Sequence, residues 1–250
     1  MARRPAEWEP ALVVGSSDYG DADRIVRLLT PERGRLSALA RHARRSQKRF
    51  GGALDHGNRI DVALRPPGSG TLWHLDEASL VDGRLGARRE LSTLALFSYA
   101  TELCAALARE QHPEPRLFGL LDTAGLLLSA LSGPPGPLFR LALEAKALTF
   151  AGLQPALVRC AACDGPAEDP MVFAPASGGA NHLRCSPGEG QPVTLAWLEA
   201  VEHGRRTPLK ALIDLDLPRG PSEALAEAVE AHMNAALRSR PVLAALHRTG

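Results

Sequence analysis

Hydrophobic and polar positions alternate with two different periods along this chain, and the change falls near residue 83. Before it, short segments repeat at period two or close to it. These are Ala11–Ser17, Arg24–Leu29, Arg35–Arg41, Arg59–Leu64 and Thr71–Leu80. In Arg35–Arg41 the apolar Leu36, Ala38 and Ala40 stand between polar or small residues, with Leu39 out of phase. In Arg59–Leu64, Ile60, Val62 and Leu64 alternate strictly. Turn residues separate the segments at Asp18–Asp21, Pro31–Gly34 and Pro66–Gly70. Five short strands at hairpin-like spacing predict a small β-barrel over residues 1–83.

From residue 84 the period is helical. Leu91, Leu94, Phe97, Ala100/Thr101, Cys104 and Leu107 fall on one stripe of a long helix. Further helices are expected over Arg116–Leu131 and from Pro137 to Gly152, the latter from Pro inside the start and Gly past the end. Two more are expected over Leu195–His203 and Ser222–Arg238, and residues 157–192 read as irregular. No internal repeat is visible. The expected fold class is mixed α+β. It comprises a five-stranded β-barrel at 1–83 and a helical domain at 84–250, with a cysteine-bearing loop at about 157–190.

Composition adds little to that outline. Of 250 residues, 45% are hydrophobic and 23% charged, the balance of a globular protein, and the net charge of +1 favours no class of partner. Only Lys48, Lys146 and Lys210 of the 29 basic residues are lysines, which with abundant Ala, Gly and Pro reads as coding-sequence bias. Arg3 and Arg4 are followed by Glu7 and Glu9, unlike a signal peptide, and Thr123–Leu131 is too short to span a membrane. Four cysteines without an export signal read as thiols or metal ligands, and a cytoplasmic protein is expected.

Chemistry concentrates in two places. Cys160-x2-Cys163 is followed, after eighteen residues, by His182-x2-Cys185. Two ligands three apart on a tight turn face one ion, and a second such turn completes a tetrahedron of three thiolates and an imidazole. Four protein ligands make that metal a structural zinc, one per chain. Cys104 lies in an apolar helical stripe and reads as a core thiol. A zinc deaminase would use an H-x-E unit such as His112–Glu114, but it also needs P-C-x-x-C, and Arg159 precedes Cys160. No lysine follows a glycine, so no phosphate loop exists, and H-E-x-x-H and G-x-S-x-G are absent as well. Nothing in the sequence points to catalysis.

The second place is Arg33–Leu54, which contains no acidic residue but seven cations: Arg33, Arg35, Arg41, Arg44, Arg45, Lys48 and Arg49. On a barrel such a strand and loop would concentrate charge on one face and attract a phosphodiester backbone. Aromatic residues make up only 4% of the chain. Phe50, Trp73 and Tyr19 are the barrel's candidates for base stacking, so backbone-led binding is expected over base readout.

Those residues also carry a resemblance. The ordered pattern Ala11–Val14, Asp18–Val26, Leu29–Leu36, Ala40–Ser46 and Arg49–Gly52 resembles the N-terminal domain of RecO, a bacterial DNA repair family, and the later regions continue the likeness over nearly the whole chain. That loop in the family often carries two C-x2-C pairs, and His182-x2-Cys185 departs from this while keeping a competent ligand. The resemblance implies a non-enzymatic recombination mediator whose barrel, 1–83, is of the oligonucleotide-binding (OB) type and is followed by a helical, zinc-bearing domain. It would bind single- and double-stranded DNA, anneal complementary strands, and work with RecR and RecF to help RecA displace single-strand-binding protein. By analogy the DNA face would include Arg35, Arg41, Arg44, Arg45, Lys48 and Arg49, and localisation would be cytoplasmic and nucleoid-associated. The alternatives are an OB-fold RNA-binding protein and a zinc-dependent hydrolase.

Overall fold

The computed structural model describes residues 7–247; Arg3 and Arg4 lie outside the described residues. Packing divides the chain into two units, Met1–Ala130 and Leu131–Gly250. Strands therefore give way to helices at the predicted place, while the break in packing follows two helices later.

The first unit is built on five strands: β1 (Glu7–Tyr19), β2 (Asp23–Thr30), β3 (Gly34–Ala40), β4 (Arg59–Arg65) and β5 (Trp73–Asp82). They close into a barrel in the order β1-β2-β3-β5-β4, with β3 and β5 parallel and the other pairs antiparallel. Alternation sets which side faces inward. Leu36, Ala38 and Ala40 of β3 and Ile60, Val62 and Leu64 of β4 are all essentially inaccessible and share one core with Val13, Val26 and Leu28. β1 is long enough to serve two neighbours, and a bulge between Val13 and Gly15 bends it from one to the other. An added Cβ at Gly15 would meet the Arg27 guanidinium at 2.5 Å, so the arginine head lies across the bend where glycine leaves room for it.

Between β3 and β4 a single helical turn, α1 (Gln47–Phe50), plugs the barrel. Phe50, Ala53 and Leu54 join the core, and Gly51 ends the turn in the left-handed region at φ 36°. This plug fixes the position of the basic loop. After β5, Arg84 (1% exposed) binds Asp82 at 3.0 Å and also pairs with Asp122. Asp122 lies on α3 (Pro115–Ala130), which packs on α2 (Leu91–Leu107). In α2 the predicted thiol, Cys104, is fully buried, and burial pushes it up to about 12.

The second unit wraps α4 (Pro137–Phe150), which is buried on almost every side. Its polar groups are paired: Arg140 binds Glu144 at 2.8 Å and Glu223 at 2.7 Å, and Lys146 Nζ donates to the Arg205 carbonyl at 2.7 Å. The stretch read as irregular holds a small sheet, β6 (Met171–Ala174), β7 (Gly179–His182) and β8 (Gln191–Val193), in the order β7-β6-β8. Met171–Ala174 is buried throughout and so shows no alternation, which is why pattern reading passes over it. α5 (Leu195–Arg206) follows, capped by Thr194 Oγ1, which accepts from Trp197 N at 3.2 Å. The last helix expected, Ser222–Arg238, is shorter than predicted, and a further one lies beyond its range. α6 (Ala224–Met233) ends where Asn234 turns left-handed at φ 49°, and α7 (Arg240–His247) restarts with Pro241 in its first turn. Among the described residues no helix is long and apolar enough to cross a membrane.

Candidate metal centre and nucleic-acid face

Cys160, Cys163, His182 and Cys185 converge in the second unit, with their ligand atoms all within 4.8 Å of one another. Two turns bring them together. In the first, Asp164 N donates to the Cys160 carbonyl at 2.9 Å, with Asp164 itself left-handed at φ 57°. In the second, Cys185 N donates to the His182 carbonyl at 2.8 Å. Strand β7 carries His182, and Ala161 N donates to the Ala180 carbonyl at 2.8 Å, tying the first turn to that strand. Gly165 lies close against the cluster: a Cβ there would touch Cys163 Sγ and His182 Cε1 at 3.4 Å each.

The donor geometry fits a tetrahedral ion. His182 Nδ1 lies 3.4 Å from Cys163 Sγ and 3.8 Å from Cys185 Sγ. Zinc bond lengths of about 2.3 Å to sulfur and 2.0–2.1 Å to nitrogen give a tetrahedral S···N edge of roughly 3.6 Å. The other ring nitrogen, Nε2, lies 2.9 Å from the Pro166 carbonyl. Donation there would fix the tautomer that leaves Nδ1 free to ligate. Burial raises the Cys160 thiol, but N–H groups of His182, Cys163 and Ala162 directed at its sulfur outweigh that and bring it to about 6. Cys185 is raised by burial and by the neighbouring thiols of Cys163 and Cys160. A sulfur-rich cluster of this kind could hold a metal ion, with all four donors supplied by protein.

The basic loop lies on the first unit. Arg44 N donates to the Ala22 carbonyl at 3.0 Å, His42 N to Asp23 Oδ1 at 2.8 Å, and Arg49 Nη2 to the Arg41 carbonyl at 2.7 Å. Phe50 holds the far end in the core. Within this framework the six predicted cations differ. Arg41, Arg45 and Lys48 are exposed and form no ion pair with a described carboxylate. Arg44 is exposed but sits 3.6 Å from Asp18 of β1. Arg49 is half-buried over the Phe50 ring, 5.0 Å from its centroid, and binds Ser46 Oγ at 3.2 Å. Arg35 does not join the group; it binds the Ala105 carbonyl at 3.2 Å and Glu110 at 3.1 Å, beside the segment that follows α2.

The stacking candidates need correction. Phe50 is 3% exposed, a core plug with no face for a base. Trp73 packs against the same core with the Arg33 guanidinium 4.9 Å above its ring. Tyr19, in contrast, is 55% exposed at the β1–β2 turn. Two residues missed by the sequence reading, Arg65 and His74, stand opposite each other on β4 and β5. Only the register places them beside Arg41. His112 and Glu114 form no part of the metal cluster, and Glu114 pairs with Arg109 at 2.8 Å.

Comparison with known proteins bears on the family of the chain. Residues 6–84 match the family model described as Recombination protein O N terminal, and residues 88–241 match Recombination protein O C terminal. The chain is similar to the DNA repair protein RecO of Myxococcus xanthus, 41% identical over 207 residues, covering 80% of this chain and 83% of that one. A RecO from Anaeromyxobacter sp. (strain K) is 42% identical over 187 residues, 74% of this chain and 72% of its own. Another, from Anaeromyxobacter dehalogenans (strain 2CP-C), is 37% identical over 240 residues and covers 93% of both chains.

Proposed function

The chain belongs to the RecO family of DNA repair proteins, and on that premise we propose that it is a non-catalytic recombination mediator working in the cytoplasm at the nucleoid. It binds single- and double-stranded DNA, anneals complementary strands, and acts with RecR and RecF to help RecA replace single-strand-binding protein. The observation that carries this reading is the barrel-anchored loop in which Arg41, Arg45 and Lys48 project without carboxylate partners among the described residues. Cations held on a fixed framework meet phosphates without first having to leave protein partners, and they read no sequence. The Cys160, Cys163, His182 and Cys185 cluster holds one structural zinc, since four protein donors leave no position for a reacting water.

The test is strand annealing on DNA coated by its cognate single-strand-binding protein, with and without RecR, beside binding to bare oligonucleotides over a range of salt. If four or five loop cations touch phosphates, single-strand affinity falls with log salt at a slope of roughly −3. Replacing Arg44, Arg45 and Lys48 together by Ala reduces the slope by about 2, weakens all sequences alike and leaves folding intact. A triple variant that binds and anneals like the wild type refutes the assignment of this loop. Stronger binding to RNA than to DNA of the same sequence favours an RNA-binding protein instead, and ATP hydrolysis by the purified chain excludes a purely non-catalytic role.

A further inference from the structure

On the outer face of the barrel, where β3, β4 and β5 run side by side, a cavity of about 190 Å³ opens beside the basic loop. Its walls come from segments far apart in sequence. His74 of β5 is registered with Leu39 of β3 on one side and with Arg65 of β4 on the other. Arg41, two residues beyond Leu39, and Asp76, two beyond His74, therefore emerge on the same face. Arg49 closes the rim from the loop.

The charge in this pocket is unbalanced. Asp76 is the one carboxylate among the lining residues, and Arg65 already engages it through two guanidinium nitrogens, one of them at 2.7 Å. Against it stand three guanidinium groups and an imidazole. Arg49 is held in place by Ser46 Oγ and by the Arg41 carbonyl, so its orientation is set before any ligand arrives. Arg41 and His74 have no protein partner for their side-chain nitrogens among the described residues. Leu39 and Leu75 contribute an apolar floor. Several cationic donors, one of them pre-oriented, around a single carboxylate that is already paired suit a small tetrahedral oxyanion. The room available, about six times the volume share of one water, exceeds a single solvent site.

We infer that this pocket is a phosphate subsite of the DNA face, with Arg41, Arg49, Arg65 and His74 receiving one phosphoryl group. The inference rests on the DNA-binding reading above and extends that face beyond the acid-free stretch onto β4 and β5. The phosphoryl group comes either from an internal phosphodiester or from a strand's 5′ end.

The experiment uses the full chain and fluorescence anisotropy with a dT oligonucleotide carrying either a 5′-hydroxyl or a 5′-phosphate. In the double variant Arg41→Gln with His74→Gln, affinity falls roughly three- to tenfold and the log–log salt slope loses about 0.7, the share of one phosphate. An equal loss on both oligonucleotides assigns an internal phosphodiester; a loss confined to the 5′-phosphorylated one assigns the strand end. Titration of the wild-type protein with inorganic phosphate, followed by the NMR signals of the Arg49 and Arg65 Nε–H groups, gives the same answer without a variant, and saturable shifts of both are expected. The inference is overturned if those signals do not move, or if the double variant keeps wild-type affinity and slope while the Arg44, Arg45 and Lys48 variant loses them. If both variants bind like the wild type, the DNA reading of the loop falls as well.

Discussion

Phe50 separates two roles that the sequence leaves open for an aromatic residue beside a basic loop. As a base platform it would supply about 1–3 kcal/mol of binding. As the core plug, at 3% exposure, it supplies stability instead. A buried phenylalanine side chain removes about 150–200 Å² from water, worth roughly 4–5 kcal/mol at 25 cal/mol/Å². Phe50→Ala is therefore expected to cost about 3–5 kcal/mol, a large share of what a domain of this size has to lose. In a unit of 130 residues that is a fall in melting temperature of roughly 11–18 °C. Since alanine also loosens the anchor of α1, the discriminating variant is Phe50→Leu. Leucine fills most of the space, costs about 1–1.5 kcal/mol and keeps the loop pinned, but has no aromatic face. The assay pairs calorimetric unfolding with single-strand binding well below the transition. Phe50→Leu should melt a few degrees lower and bind DNA within twofold of wild type. A fivefold or greater loss of affinity with an unchanged melting temperature would refute the plug and restore the ring as a stacking surface.

Protein purified without chelator should carry about one zinc per chain by elemental analysis, and Cys160→Ser or Cys185→Ser should lose it along with much of the second unit's stability. His182→Cys should retain the metal, because a fourth thiolate replaces the imidazole within the same turn; loss of zinc in that variant would show that the Pro166-oriented ring is required. The second unit should also be sensitive to acid at Glu223. Burial pushes the Glu223 carboxyl up, but the Arg140 and Arg240 guanidinium groups outweigh it and hold it below its ordinary 4.5. A depressed carboxylate contributes stability above its unfolded value, and that contribution is lost as pH falls through the lower folded value. Glu223→Gln should accordingly cost about 2 kcal/mol at neutral pH and flatten the decline below pH 4.5 in unfolding experiments; an unchanged acid limb would remove Glu223 from that role.

What the chain determined by itself was whatever depends on near neighbours. Alternation at Leu36, Ala38 and Ala40 set the inner face of β3, and the same parity put the out-of-phase Leu39 outside, where it floors the anion pocket. Three-residue spacings placed Cys160 with Cys163 and His182 with Cys185, and each pair closes on its own turn. Tertiary structure decided the rest, because strand partners lie tens of residues apart and register is set by the whole barrel. The window from Arg33 to Leu54 has no acid in sequence, yet β1–β2 pairing brings Asp18 to Arg44, and Arg35 is drawn away to Glu110. Phe50 looked free because one helical turn carries no period, and only barrel closure shows that the open end needs a plug. Arg65 and His74 carried no local signal at all. They become part of a cationic pocket because β5 lies between β3 and β4, an arrangement that no stretch of sequence contains.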